Sequence, residues 1–417
     1  MPRRRTLCGR MMTQTDRLSA EWLDWPGTRA VMAALEAAQP GGSRFVGGCV
    51  RNQLRGATVD DIDIATQLEP DATKSALEAA GIRALPTGIE HGTITAIHDG
   101  RPFEITSLRR DVETDGRRAV VAFTQDWAED AQRRDFRLNA IYAGPDGQLH
   151  EVVPGSIADA VEGRVIFIGD ADQRLREDFL RILRFFRFNA WYGAGMDADG
   201  LAACERQKEG LSKIAAERIW KELKRLMEAV DPSEALLAMD ETGILGTVLP
   251  GAMASEVPSL VAIEQGAGLQ PDPLQRLMAM TPRRVRDVRQ MTTHLRLSNA
   301  EADRLTAWAD PALAHVLGAD APALRRMFYR HGPEAVEDRA LIEAAQLSDA
   351  EAFEALRRAA AGWVRPDFPI GGDDALAIGL KGPQIGEHLR ALEADWTASD
   401  FTLTRGELLA RLSSRTG

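Results

Sequence analysis

Asp61 and Asp63 stand one residue apart in DDIDIAT, residues 60–66, where they alternate with Ile62 and Ile64. A period of two is a strand's, so both carboxylates face one way and both isoleucines the other. Two acids this close repel each other. The arrangement suits a site where a divalent cation sits between them, and it equally suits an edge strand whose charges discourage aggregation. GRPFEITSLRR, residues 100–110, predicts a second strand in which Glu104 points away from Phe103 and Ile105. Glu104 is then either a third carboxylate on a neighbouring strand or an ordinary exposed glutamate.

Phosphate chemistry is suggested just upstream. RFVGG predicts a strand running into Gly47 and Gly48, and CVRNQLRG a helix closed by Gly56 with Arg51 in its first turn. Paired glycines at a strand-to-helix turn let backbone N–H groups approach an anion, although such a pair is also found at plain turns. RRDFRLNAIYA, residues 133–143, supplies Arg133 and Arg134, able to hold phosphates or simply to be solvated, with Asp135 and Asn139 following. Between these segments RRDVETDGRRAVVAF is charged, carries the turn signal Asp115-Gly116 and lacks clean periodicity, which predicts a mobile loop beside the site. REDFLRILRFFRF, residues 176–188, predicts one helix with Glu177, Arg181 and Arg184 on one side, Asp178 beside them, and Phe179, Ile182 and Phe186 opposite. Read alone, that polar side is a salt-bridged surface.

The elements that must position these groups change character along the chain. Up to about residue 168, strand-like segments (GTITAIHD, QLHEVV, RVIFIG) alternate with helices; beyond it nearly every segment has helical period. The expected fold class is α+β, a small N-terminal head of strands and helices followed by an all-helical remainder. Pro250, Pro258, LQPDP and the stretch RPDFPIGGDDALAIGLKGPQIG interrupt the helical part, and no repeat of 20–50 residues is evident.

The order GGCVRN, DDIDIAT, FEITSLR, RRDFRLNA, REDFLRILRFFRF resembles the class II nucleotidyltransferases, which comprise bacterial CCA-adding tRNA nucleotidyltransferases and bacterial poly(A) polymerases. The resemblance runs from about residue 43 to 225. In two places the chain departs from the family pattern: Asn52 stands where Asp is usual, and Arg137 where Thr is usual. The segment near 365–386 resembles the tail of CCA-adding enzymes.

The resemblance implies a polymerase-β-like head with a mixed sheet at 26–162 after a leader at 1–25, neck helices at 163–230, a body at 231–320 and a tail at 321–417, the last two binding tRNA. It implies addition of C, C and A to the tRNA 3′ end from CTP and ATP, with Asp61 and Asp63 holding two Mg²⁺ ions. Gly47, Gly48 and Arg51 would cradle the triphosphate, and Arg134, Asp135 and Asn139 would lie near ribose and phosphates. Asp178 and Arg181 would read the base, with Arg184 among the nucleotide-binding residues. Cytosine and adenine each present an amino donor beside an unprotonated ring nitrogen, which a carboxylate and a guanidinium can read together; guanine and uracil present the reverse. A poly(A) polymerase, or an enzyme adding only A or only C, is the nearest alternative. A non-catalytic helical RNA-binding protein is the distant one.

Composition sets the outer bounds. A chain of 417 residues with 44% hydrophobic content can bury several cores. Three scattered cysteines exclude a disulfide framework and a zinc site. No apolar run reaches membrane-spanning length and the start lacks a hydrophobic signal core, so the expected location is the cytoplasm, with Met11 or Met12 as alternative starts. Basic runs such as RILRFFRF, KELKRLM and PRRVRDVRQM offer local RNA-binding patches, while the net charge of −11 opposes tight, non-selective RNA binding and predicts modest affinity with rapid release.

Overall fold

The chain is described here by a computed structural model that covers residues 17–115 and 118–415. Among the described residues nine strands form, all before residue 152: β1 (Ser43–Val46), β2 (Asp63–Thr66), β3 (Arg83–Gly88), β4 (Thr93–His98), β5 (Arg101–Ser107), β6 (Arg109–Asp115), β7 (Arg118–Phe123), β8 (Ile141–Ala143) and β9 (Leu149–Glu151). Seven of them make one sheet in the order β3-β4-β5-β2-β1-β8-β9, mixed because β2 and β5 run parallel while the other pairs are antiparallel. Helices α1 (Pro26–Ala38), α2 (Gly48–Leu54), α3 (Pro70–Ala79), α4 (Trp127–Gln132) and α5 (Ser156–Glu162) fill the connections. Phe45, Ile64, Phe103 and Ile105 are fully buried in the head. The alternation read from DDIDIAT and GRPFEITS therefore holds: isoleucines and Phe103 turn inward, acids outward.

The expected leader lies outside the described residues as far as residue 16. From Leu18 onward it is packed, with Trp22 buried edge-on against Phe45 at 4.9 Å between ring centroids.

Three expectations are corrected. The segment at 109–123 is an antiparallel ribbon, β6 with β7, in place of a mobile loop; a register shift between Asp111 and Glu113 interrupts the alternation that would have marked it. RVIFIG forms no strand. It makes one isolated antiparallel bridge, Phe167 with Phe136, flanked by the bonds Arg137 N to Ile166 O at 2.9 Å and Ile168 N to Asp135 O at 3.1 Å, with the Phe167 ring against Phe136 and Phe185. The single helix over 176–188 is two, α6 (Ala171–Glu177) and α7 (Leu180–Tyr192), because Asp178 is extended (φ −151°, ψ 105°). Phe179 at this joint packs onto Gly210, where a Cβ would come within 2.0 Å of its ring.

Helices α8 (Ala198–Gln207) and α9 (Ala216–Met227) follow, and the chain divides into two compact units between Arg218 and Ile219. The second unit is all helical among the described residues. Its largest buried charge is Arg276, 1% exposed, which bonds Glu264 at 2.7 Å and donates to the carbonyls of Met227, Ala229 and Val230 at the end of α9. The long helix Ala321–Leu347 breaks at Gly332 (φ 80°), immediately before Pro333. A separate core gathers Tyr329, Leu392, Trp396, Leu408 and Leu412 near the C-terminus.

Candidate active site

The site is built on adjacent ends of the central strands. β2 opens with Asp63, whose Cα partner across the parallel ladder is Glu104 of β5. Asp61, just before β2, is exposed, as is Glu104, whereas Asp63 is half-buried. Burial, the Glu104 charge and the Asp61 charge together push the Asp63 carboxyl up to about 6, against the opposing pull of Arg134 and Arg51. The negative charge here is therefore under-compensated. Among the described residues no group of three or more His, Cys, Asp or Glu is gathered to hold a metal ion. Asp61 and Asp63 offer a two-carboxylate, all-oxygen donor set, which fits Mg²⁺, an ion that keeps several waters and takes its remaining ligands from substrate phosphates.

β1 delivers the glycine turn. Gly47 has φ 69°, a conformation that favours glycine, and its N–H reaches Ile141 O at 3.2 Å. α2 then places Cys49 beneath β2, its Sγ 3.7 Å from the Asp63 carbonyl, where burial pushes the thiol up to about 12. Arg51 is only 6% exposed. Its guanidinium donates to Asn139 Oδ1, to Tyr192 Oη at 2.8 Å and to Asn52 Oδ1 at 2.9 and 3.2 Å, and lies 4.0 Å from the centre of the Tyr192 ring.

Asn139 continues the network. Its Nδ2 donates to Asp135 Oδ1 at 3.0 Å, and Asp135 Oδ2 accepts from Arg184 Nε at 2.8 Å. Burial alone would raise the Asp135 carboxyl, but Arg184, Asn139 and the Phe136 N–H hold it at about 2. Arg51, Asn139, Asp135 and Arg184 thus form one relay from α2 to α7. Arg133 and Arg134 are anchored by Asp130, with Arg133 Nη2 at 2.6 Å and Arg134 Nη2 at 3.0 Å, while Tyr142 Oη donates to the same carboxylate at 2.9 Å.

The side chains of Asp178 and Arg181 bond other partners, although the Arg181 N–H donates to the Asp178 carbonyl at 3.0 Å. Asp178 accepts from Arg218 Nη2 at 2.8 Å and from Leu180 N at 3.1 Å. Arg181 bonds Glu177 at 2.6 Å and the carbonyls of Arg174 and Arg133 at 2.8 and 3.2 Å. Asp130, Tyr142, Tyr192 and Arg218 went unnoticed in the sequence reading. Asp130 had a signal, since it precedes Arg133 and Arg134 by three and four residues; Tyr192 had none.

A mixed sheet with an acid pair at the start of one strand, a carboxylate in register on the next and a glycine turn beside them is the head of a nucleotidyltransferase. Residues 43–166 match the family described as "Poly A polymerase head domain", and residues 195–255 the one described as "Probable RNA and SrmB- binding site of polymerase A". The chain is 33% identical over 376 residues to the mitochondrial CCA tRNA nucleotidyltransferase 1 of Mus musculus, spanning 88% of this chain and 85% of that protein. It is 36% identical over 202 residues to the CCA-adding enzyme of Latilactobacillus sakei, 48% of this chain and 50% of that one. The crystal structure of the Bacillus stearothermophilus CCA-adding enzyme in complex with CTP shares the fold, with a TM-score of 0.76 over 94% of this chain and 98% of that chain at 23% identity. The chain belongs to the CCA tRNA nucleotidyltransferase family. Among the described residues no helix is long and apolar enough to cross a membrane.

Proposed function

We propose that this enzyme adds C, C and A to the 3′ end of tRNA from CTP and ATP and releases pyrophosphate. The observation that carries the reading is the 33% identity to a CCA tRNA nucleotidyltransferase over 85% of that protein's length, with the acid pair in place. Asp61 and Asp63 hold Mg²⁺ in this reading. When bound, the metal pair acidifies the primer 3′-hydroxyl and stabilises charge on the leaving pyrophosphate. Arg134, fixed by Asp130 and close enough to Asp63 to lower its proton affinity, faces the phosphates. Gly47, Gly48 and the charge of Arg51 shape the triphosphate side, and Asn139 and Asp135 the ribose side.

Asp178 and Arg181 read the base. One Asp178 oxygen is engaged by Arg218 and the other by the Leu180 N–H. A carboxylate offers about four lone-pair sites, so capacity remains for an exocyclic amino group. Arg181 makes three bonds to the chain from its Nη atoms, which leaves donors for a ring nitrogen. In this reading the neck, 163–230, carries the base-reading pair and braces the head, and body and tail, 231–320 and 321–417, hold the tRNA. The buried free thiols Cys49 and Cys204 suit a reducing compartment, and the cytoplasm is the location this reading assigns.

The description of the family that matches residues 43–166 names poly(A) polymerase, which favours a second reading as a tail polymerase. Denaturing gels of product from tRNA ending at the discriminator base separate the two. A stop after three additions supports CCA synthesis; long A ladders on unrelated RNA at comparable rate support the polymerase.

A further inference from the structure

Asn52 has two jobs that a carboxylate cannot do together. Its Oδ1 accepts from Arg51 Nε and Nη2 at 3.2 and 2.9 Å, and its Nδ2 donates to the Thr58 carbonyl at 3.0 Å. A guanidinium only donates and a carbonyl only accepts, so this pair of partners fixes which way the amide points. The backbone of Asn52 serves the same turn: its carbonyl accepts from Arg55 N at 3.1 Å and Ala57 N at 2.9 Å, while Gly56, at φ 66°, donates to Gln53 O at 3.1 Å. Ala57 to Asn52 and Gly56 to Gln53 are the two bonds of a Schellman cap, which ends α2 and turns the chain toward Asp61. The side chain extends that cap by one more bond, to Thr58, three residues before Asp61.

On its other side Asn52 is half of what holds Arg51. Four of the five N–H donors of that guanidinium are engaged within the chain, two by Asn52, one by Asn139 and one by Tyr192. We propose that Asn52 is a positioning residue that ties the guanidinium of Arg51 to the 55–60 loop, so that the phosphate side of the site and the loop delivering Asp61 are set by one amide. An Asp at this position would keep the hold on Arg51 but turn a carboxylate toward the Thr58 carbonyl. Asn52→Ala would release both. The kinetic part rests on the nucleotidyltransferase reading above; the loop part does not.

The test uses the full chain as wild type, Asn52→Asp and Asn52→Ala. Hydrogen exchange is followed at amides 57–61 without metal or nucleotide, and kcat and KM for CTP are measured over a Mg²⁺ titration. Loss of one net hydrogen bond corresponds to roughly a three- to tenfold change, so both variants should exchange faster at 57–61 by about that factor. The half-saturating Mg²⁺ concentration should rise in both by a similar factor. The sign is informative, because a new carboxylate acting only through its charge would lower the Mg²⁺ requirement of Asn52→Asp. Only Asn52→Ala should also raise KM for CTP through release of Arg51. Unchanged exchange in Asn52→Asp, or a lowered Mg²⁺ requirement, overturns the proposal. If wild type incorporates no nucleotide, the functional reading fails, and the exchange rates alone decide on Asn52.

Discussion

Asp63 and Glu104 face each other across adjacent parallel strands, kept in register by the bond from Glu104 N to Ile62 O at 3.3 Å. The two acids lie far apart in sequence, yet the ladder spaces them as firmly as neighbours on one strand. Their mutual repulsion is part of the folded state whenever no cation is present.

Relief of the burial and the repulsion that together raise the Asp63 carboxyl should stabilise the metal-free protein while removing its chemistry. Asp63→Asn is expected to unfold in EDTA with a stability higher than wild type by the order of 1–2 kcal/mol, read as a higher melting temperature. The same variant, and Asp61→Ala, should lose about a thousandfold or more in incorporation rate, since a two-metal site that lacks a ligand forfeits several kcal/mol of transition-state stabilisation. A variant melting below wild type would show that the acids do not strain the apo site, and substantial Mg²⁺-dependent activity would remove the metal role.

A second expectation concerns the relay. Asp135 sits at about 2 in the native state against 3.8 for an ordinary aspartate, so the folded protein binds fewer protons there than the unfolded chain. Its stabilisation is thus fully present above about pH 4 and is lost as pH falls through about 2. Asp135→Asn should lower stability at pH 7 by about 2 kcal/mol, and the gap to wild type in urea unfolding should close steadily between pH 4 and pH 2.5. A gap that stays constant over that range would mean that Arg184 and Asn139 do not hold the charged form.

How much of this could be read beforehand depends on the range of the interaction. The strand alternation at 60–66 and 100–107 is local, and the inward side chains were legible from it, whereas the mixed sheet, which joins strands distant in sequence, came only with the family resemblance. The β6–β7 ribbon was not: the Asp115-Gly116 turn signal stood in the sequence, but the register shift between Asp111 and Glu113 breaks the alternation that would have made its flanks read as strands. The break at Asp178 was hidden for another reason: no Gly or Pro marks it, and the joint is stabilised by Phe179 packing on Gly210, a partner thirty-one residues away. Arg51 was legible as a cation near the glycine turn, but its burial depends on Tyr192 and Asn139, which no spacing rule connects to it.

Base choice supplies the third expectation. Asp178 lies between α6 and α7 and Arg181 in the first turn of α7, away from the acid pair on β2, so altering either should leave Mg²⁺ dependence intact. Asp178→Ala and Arg181→Ala should each lower kcat/KM for CTP and ATP and narrow their lead over UTP and GTP by about ten- to a hundredfold, the worth of one good base contact. Measuring all four nucleotides on tRNA primers ending in each of the two cytidines checks this. Unaltered ratios in both variants would return the residues to the ion pairs they make with Arg218 and Glu177.

Only six of the 51 basic residues are lysine. Arg276 shows where much of the arginine goes: its flat, multi-pronged head closes over three carbonyls at the end of α9, and Arg181, Arg283 and Arg339 likewise grip carbonyls. Such side chains act as internal clasps for helix ends and loops, a geometry that a single ammonium cannot reproduce. A variant with every such arginine changed to lysine would keep its formal charge and lose its fastenings. Tallies of basic residues, in this sequence or in others similarly rich in arginine, therefore say little about attraction to a polyanion until the guanidiniums turned inward have been set aside.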